Sequence, residues 1–332
     1  MSQDLDKIFA QFSTQNVLVI GDVMVDSYLR GKVERISPEA PVPVINILKH
    51  ENRLGGSANV ALNLLGLKAH PIICSVIGND RMGEEFIELM KSKGLSVDGI
   101  IKSTNRITTV KTRIISQHQQ MLRMDEEQTN DLNSDDEKLL LDAIKKILDS
   151  QKIAVVIFED YNKGVITQRI IENTIAICNE KNIPTCVDPK KNNFFNFKNV
   201  TLFKPNLKEL REGLKMDIDL NKSGQLKNAV KQLHENLNHE ISLITLSEQG
   251  VFVKKGEVEN IFPAHQRNIT DVSGAGDTVI AVASLCIALN TSPTLMAQLS
   301  NLAGGIVCEQ TGVVSIDFDH LLLEAKNKLQ IN

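Results

Sequence analysis

The sequence predicts an α/β protein, a three-layer α/β/α sandwich around a mostly parallel central sheet. Two observations predict it. Short β-branched runs that are apolar throughout recur along the chain, as strands buried on both faces require. Between them lie segments with apolar residues every three and four positions, the spacing of helices that cover such a sheet. The chain also has the material for one large core. Of its 332 residues, 42% are hydrophobic and 23% charged, a balance that excludes disordered, collagen-like and coiled-coil chains. A single domain over 1–332 with a small appended lobe is expected.

In chain order, positions 17–20, 72–77, 153–158, 184–187 and 241–246 read as strands. Helical spacing marks 57–67, 81–93, 134–149, 167–181, 207–214 and 222–236, then a last apolar helix that starts at a glycine turn and ends near Leu289. Two stretches break the alternation. Positions 31–48 contain Pro38, Pro41 and Pro43, which forbid helix and suit an extended edge. Positions 108–125 alternate in two arms around a turn at 116–119. Together they are expected to form a small β-lobe, acting as a lid over a substrate cleft or as a dimer clasp.

Lys and Arg number 37 against 41 Asp and Glu, a net charge of −4. That leaves no basic field for a nucleic-acid backbone or an acidic membrane, so a small molecule is the expected partner. Positions 1–15 lack the basic start and apolar run of a secretory signal. The most apolar stretch, 278–289, falls short of the ~20 residues a membrane span needs. A cytoplasmic protein is expected. Five scattered cysteines (Cys74, Cys178, Cys186, Cys286, Cys308) sit mostly in apolar segments and read as buried free thiols. No Cys-x-x-Cys or His-x-x-x-His spacing argues for zinc.

The chemistry concentrates in Asp271-Val-Ser-Gly-Ala-Gly-Asp277, which runs straight into the last apolar helix. The backbone N–H groups of Gly274, Ala275 and Gly276 at a helix start face outward with the positive end of the dipole, a place for a phosphate. Asp277 in the first turn is either a capping carboxylate or a general base beside that anion hole. Two nucleotide motifs are absent: Gly-x-Gly-x-x-Gly fails at Val279, and the Walker loop fails because Glu84 and Glu85 follow Gly83. Gly55 and Gly56 open an early helix, and Gly21-Asp-Val-Met-Val-Asp26 puts two carboxylates beyond a strand end, where open α/β sheets bind ligands. Asp26 suits sugar hydroxyls or a turn.

The Gly-Gly segment and the later Asp-Val-Ser-Gly-Ala-Gly-Asp, in this order and separation, resemble the two signatures of the ribokinase-like (PfkB) carbohydrate kinases. Arg35-Ile-Ser-Pro-Glu-Ala-Pro-Val-Pro-Val44, Gln119-Gln-Met-Leu-Arg-Met-Asp125, Asp160-Tyr-Asn-Lys-Gly164, Asp188-Pro-Lys190 and Ser247-Glu-Gln-Gly250 are similar, as a set, to bacterial D-glycero-β-D-manno-heptose-7-phosphate kinases. The resemblance covers nearly the whole chain and implies a ribokinase-like sandwich whose small β-sheet is a lid. It also implies ATP with Mg²⁺ as cofactors and phosphorylation of the anomeric hydroxyl of heptose 7-phosphate. Asp277 would be the base, with Gly274, Ala275 and Gly276 as the anion hole. Asn206 and Glu209 would place the nucleotide phosphates, Glu209 reaching Mg²⁺ indirectly. Thr245, Ser247 and Gly250 would lie near the nucleotide, Asn301 beside its base, and Asp271 near a monovalent cation such as K⁺.

For the sugar, the resemblance implies Asp26, Gly55, Gly56, Asn59 and Asp160. Cations for its phosphate would come from Lys111, Arg113 and Arg123 on the lobe and from Lys163 and Lys190 at strand ends. The chain departs from the heptose kinase pattern at Glu159, where a small residue is expected, and at Lys204 ahead of Pro205. Many such kinases continue into a nucleotidyltransferase domain with a His-x-Gly-His motif, absent here, so a separate adenylyltransferase is the expected pathway partner. A homodimer is expected from the exposed lobe edges. Two other functions fit the residues: a different sugar or nucleoside kinase of the same family, and a catalytically silent sugar-binding regulator.

Overall fold

The computed structural model describes residues 4–329 apart from His118 and Ser223. Helix α1 (Leu5–Phe12), capped by Asp4, precedes β1 (Asn16–Gly21). The chain then leaves the main sheet as two long arms, β2 (Val23–Ile36) and β3 (Pro43–Gly56), and returns through α2 (Ser57–Gly66). After β4 (His70–Gly78), α3 (Arg81–Ser92) and β5 (Ile100–Ser103) it makes a second excursion, β6 (Val110–Ser116) and β7 (Gln119–Glu126). Alternation resumes with α4 (Ser134–Ser150), β8 (Val155–Glu159), α5 (Gln168–Glu180), β9 (Thr185–Asp188) and β10 (Leu202–Phe203). Helices α6 (Leu207–Leu214) and α7 (Gln225–Leu237) lead to β11 (Ile241–Thr245) and a hairpin, β12 (Val251–Lys255) with β13 (Val258–Phe262). Three helices close the chain: α8 (Ala275–Ala288), α9 (Pro293–Val307) and α10 (Phe318–Lys328).

The main sheet has nine strands in the order β13-β12-β11-β10-β9-β8-β1-β4-β5, parallel except for the terminal hairpin. Both faces are covered because the strands are apolar on both. Val17, Val19, Val155 and Ile157 face α1, α2, α8, α9 and α10. Leu18, Ile20, Val156 and Phe158 face α4, α5, α6 and α7. Parallel strands send their carboxyl ends to one edge, and the residues there, Gly21, Glu159 and Asp188, are register partners on the α8 side.

The expected lid is a separate, smaller sheet of four strands in the order β3-β2-β6-β7. Its first pair is longer than the expected 31–48: β2 and β3 pair from Val23↔Gly56 to Ile36↔Pro43. The second pair matches 108–125 closely, although His118 of the expected turn lies outside the described residues. Helices α1, α9 and α10 and strands β5, β10, β12 and β13 were not anticipated. Strand β10 has two residues, too few to carry a period, and α9 is apolar on most sides because it lies against α8 and β12. All five cysteines are buried and free. No helix among the described residues is long and apolar enough to cross a membrane.

Candidate active site

Gly274 takes φ 80° at the N-cap of α8, turning the chain so that the helix starts at the carboxyl edge of the sheet. A side chain there would be strained and would also meet Asn59 Nδ2 at 2.9 Å. The Ala275 amide reaches the Val272 carbonyl at 3.3 Å, whereas the amides of Gly274, Gly276 and Asp277 find no acceptor among the described residues. The turn therefore presents unsatisfied donors at a helix N-terminus.

Asp277 stands behind them, 8% exposed. Asn59 Nδ2 donates to its Oδ2 at 2.5 Å and the Tyr161 hydroxyl to its Oδ1 at 2.8 Å. Three distant segments thus fix one carboxylate. Burial pushes its pKa up to about 6, against these two hydrogen bonds, which favour the ionised form; Asp188 nearby raises it further. The reading of Asp277 as a mere cap does not fit, because its oxygens are spent on Asn59 and Tyr161 rather than on helix amides. Tyr161 was missed in the sequence, although the Asp160-Tyr-Asn-Lys-Gly164 tag contains it.

On one side of the turn lies a cleft of about 850 Å³ lined by Thr245, Ser247, Gly250, Ala275, Gly276, Val279 and Asn301. Asn301 Nδ2 donates to the carbonyls of Phe262 and Pro263, holding the loop that forms its far wall. Asn206 and Glu209 form a capping box at the start of α6: each backbone N–H donates to the other's side chain at 2.8 Å. Glu209 also receives Lys190, which bridges to Asp188 at 3.6 Å. Against the cost of burial, Asp188 and Glu209 hold Lys190 above the ordinary lysine range. Asp271 accepts the amides of Ser273 and Gly312, tying the turn to the chain before α10.

On the other side is the lid. Register places Asp26, Tyr28, Lys111, Arg113, Arg123 and Arg53 on one face of its sheet. A Cβ on Gly55 would come within 2.3 Å of Asp26 Oδ2, so the glycine makes room for this carboxylate. Gly56, at φ 63°, turns the chain into α2. The cations are paired in this state: Arg113 with Asp26, Lys111 with Asp125 and Glu127, Arg123 with Asp125, and Lys163 with Glu127. Arg30, Arg53 and Arg113 also surround the Tyr28 ring at 5.0–5.8 Å. Arg30, Arg53 and Tyr28 went unnoticed in the sequence, since only strand pairing assembles them.

Two carboxylates expected at the ligand edge do other work. Asp160 is 1% exposed and accepts the Asn162 amide and Asn193 Nδ2, so it holds its own loop rather than facing a sugar. Asp22 accepts the amides of Tyr161, Lys163 and Val165 and fixes the loop that delivers Tyr161. Among the described residues no three His, Cys, Asp or Glu side chains are arranged to hold a metal ion by themselves.

A helix start with unsatisfied amides, a buried carboxylate beside it, a cleft and a charged second sheet form the arrangement that a phosphotransferase of the three-layer α/β class needs. Residues 14–319 match the family model described as pfkB family carbohydrate kinase, and the chain belongs to that family. It is 39% identical over 310 residues to the bifunctional protein HldE of Helicobacter pylori, covering 93% of this chain and 66% of that protein. With HldE of Sulfurimonas denitrificans it shares 38% over 315 residues, 95% of this chain and 65% of the relative. The chain thus spans about two thirds of the length of these relatives. Two solved structures share the fold at 16% identity. Phosphofructokinase-2 from Escherichia coli, in complex with potassium, has a TM-score of 0.77 over 92% of this chain and 96% of that one. Arabidopsis thaliana ribokinase, complexed with ribose and ATP, has 0.71 over 95% and 99%. The ribokinase-like reading of the fold is borne out, and the protein is a carbohydrate kinase.

Proposed function

We propose that the protein transfers the γ-phosphoryl group of ATP to the anomeric hydroxyl of D-glycero-β-D-manno-heptose 7-phosphate, giving the 1,7-bisphosphate used in ADP-heptose and lipopolysaccharide core synthesis. One observation carries the reading: Asp277 is buried beside unsatisfied amides, between a nucleotide-sized cleft and a cation-bearing lid. The sugar assignment is supported by the ordered heptose kinase tags and by relatives named bifunctional protein HldE.

The nucleotide would lie along Thr245, Ser247, Gly250 and Asn301 with its phosphates at the turn. Asp277 takes the hydroxyl proton as the sugar oxygen attacks the γ-phosphorus in line, and the amides of Gly274 and Gly276 hold the growing negative charge. Hard carboxylate oxygen beside a phosphate site suits Mg²⁺, and Glu209 would reach the ion through water; bound there, the ion would neutralise phosphate charge. Asp271 has lone pairs left for K⁺ beyond its two amide bonds. The sugar phosphate would draw Lys111, Arg113, Arg123 and Lys163 from their acidic partners, joined by Arg53.

The outer face of the lid carries exposed Ile47, Leu122 and Met124, which supports a homodimer built lid to lid. Free thiols and ATP use suit the cytoplasm. The test is an acceptor screen with purified protein, ATP and Mg²⁺, read by product mass. Heptose 7-phosphate should be converted in preference to fructose 6-phosphate, ribose and adenosine. Preference for another acceptor would overturn the sugar assignment, and no transfer to any acceptor would leave a sugar-binding regulator.

A further inference from the structure

Glu159 and Lys204 stand far apart in the chain, and nothing in the sequence relates the two. The sheet does. Glu159 ends β8 and is the register partner of Asp188 at the end of β9. Lys204 directly follows β10, its amide bonded to the Val187 carbonyl, which places it on the other side of Asp188. Glu159, Asp188 and Lys204 therefore form a row across three neighbouring strand ends, all facing α8.

The row is almost dry: Glu159 is 1% exposed, Lys204 2% and Asp188 4%. Lys204 Nζ donates to Asp188 Oδ2 at 2.7 Å. These two atoms lie 3.8 and 3.6 Å from where a Cβ on Gly276 would stand, so the pair forms the floor of the anion turn. Glu159 Oε2 has no hydrogen-bond partner among the described residues. Ionised, that carboxyl would repel both Asp277 and any phosphoryl group on the turn unless a cation stood close by.

We propose that Glu159 and Lys204 are a single device, in which Lys204 is a positioning residue that offsets the carboxyl Glu159 brings beneath the phosphoryl-transfer turn. The proposal rests on that turn being the site of phosphoryl transfer. Lys190 is shared between Asp188 and Glu209, so without Lys204 a single ammonium would stand against the three carboxyls of Asp188, Glu209 and Glu159. In keeping with this, the carboxylates around Lys204 hold its ammonium above the ordinary range in spite of burial. Burial, then Asp188 and Asp277, raise the Glu159 carboxyl well above the usual carboxylate range, against the pull of Lys190 and Lys204.

The test is a double-mutant cycle of Glu159→Ser and Lys204→Thr, read as kcat, as KM for ATP, and as the affinities for Mg²⁺ with the ATP analogue AMP-PNP and with ADP. Lys204→Thr should lower kcat by roughly tenfold or more and weaken AMP-PNP more than ADP, because the γ-phosphoryl group lies over the pair. Glu159→Ser should cost less, and the double variant should recover most of what Lys204→Thr lost. Additive losses, or equal weakening of both nucleotides, overturn the proposal. If Lys204→Thr does not fold, rescue of folding by Glu159→Ser is the same coupling, and a double variant that also fails to fold overturns it. A parent protein without turnover on any acceptor would refute the kinase reading, while the nucleotide-binding cycle would still decide the pair.

Discussion

In the proposed reaction Asp277 must be ionised and aimed, and the side chains of Asn59 and Tyr161 hold it so. Replacing it with Asn should lower kcat by about 10²–10⁴ with little change in KM for ATP, since the loss falls on the transition state. Because its pKa stands at about 6, kcat/KM should fall on the acid side with a limb near pH 6, where the carboxylate gains a proton. Tyr161→Phe removes a hydrogen bond that favours the ionised form. The carboxyl pKa then rises, and the limb should move to higher pH in a pH–rate profile; an unmoved limb would separate Tyr161 from the base. The sequence made Asp277 legible because glycines and acid are contiguous there. It hid Tyr161 and Asn59 as holders of Asp277, because their contacts cross 116 and 218 positions. Nor did it distinguish Asp22 and Asp160 as structural acids, since their amide partners lie in a loop with no periodic signature.

The lid shows what strand pairing adds to composition. Its proline-rich and alternating stretches were readable as extended arms, but the length of β2 and β3 was not, because Val23, Val25 and Leu54 at their roots look like ordinary core residues. Lys111, Arg113 and Arg123 share a face as alternate positions on paired strands must, and Arg53 joins them only through register with Asp26. Gly55 is where this element is most vulnerable. Gly55→Ala puts a methyl within van der Waals overlap of Asp26, so KM for the sugar should rise by about tenfold or more while KM for ATP stays. A steady-state comparison of the two KM values checks it.

For the molecule as a whole, the outer face of the small sheet leaves Ile47, Leu122 and Met124 exposed to water. Leu122→Arg on that face should convert a dimer to monomer in sedimentation experiments, at roughly unchanged thermal stability, because the residue is already exposed in the single chain. A protein that sediments as a monomer before mutation would remove this interface. The layered body was the most legible part of the sequence, since buried strands and amphipathic helices each write their period locally. The β12–β13 hairpin and α9 were not, because their burial is decided by neighbours far along the chain.

Strand β3 runs out of the lid through Gly55 and Gly56 directly into α2, whose third residue grips Asp277. No slack separates the two. If the sugar settles against Asp26 as proposed, any tilt of the arm would be delivered to Asn59 within a few peptide units, so the contact that feels the sugar and the one that steadies Asp277 would belong to one short lever. An empty lid and a misaimed base should therefore go together, which would spare ATP from being spent on water.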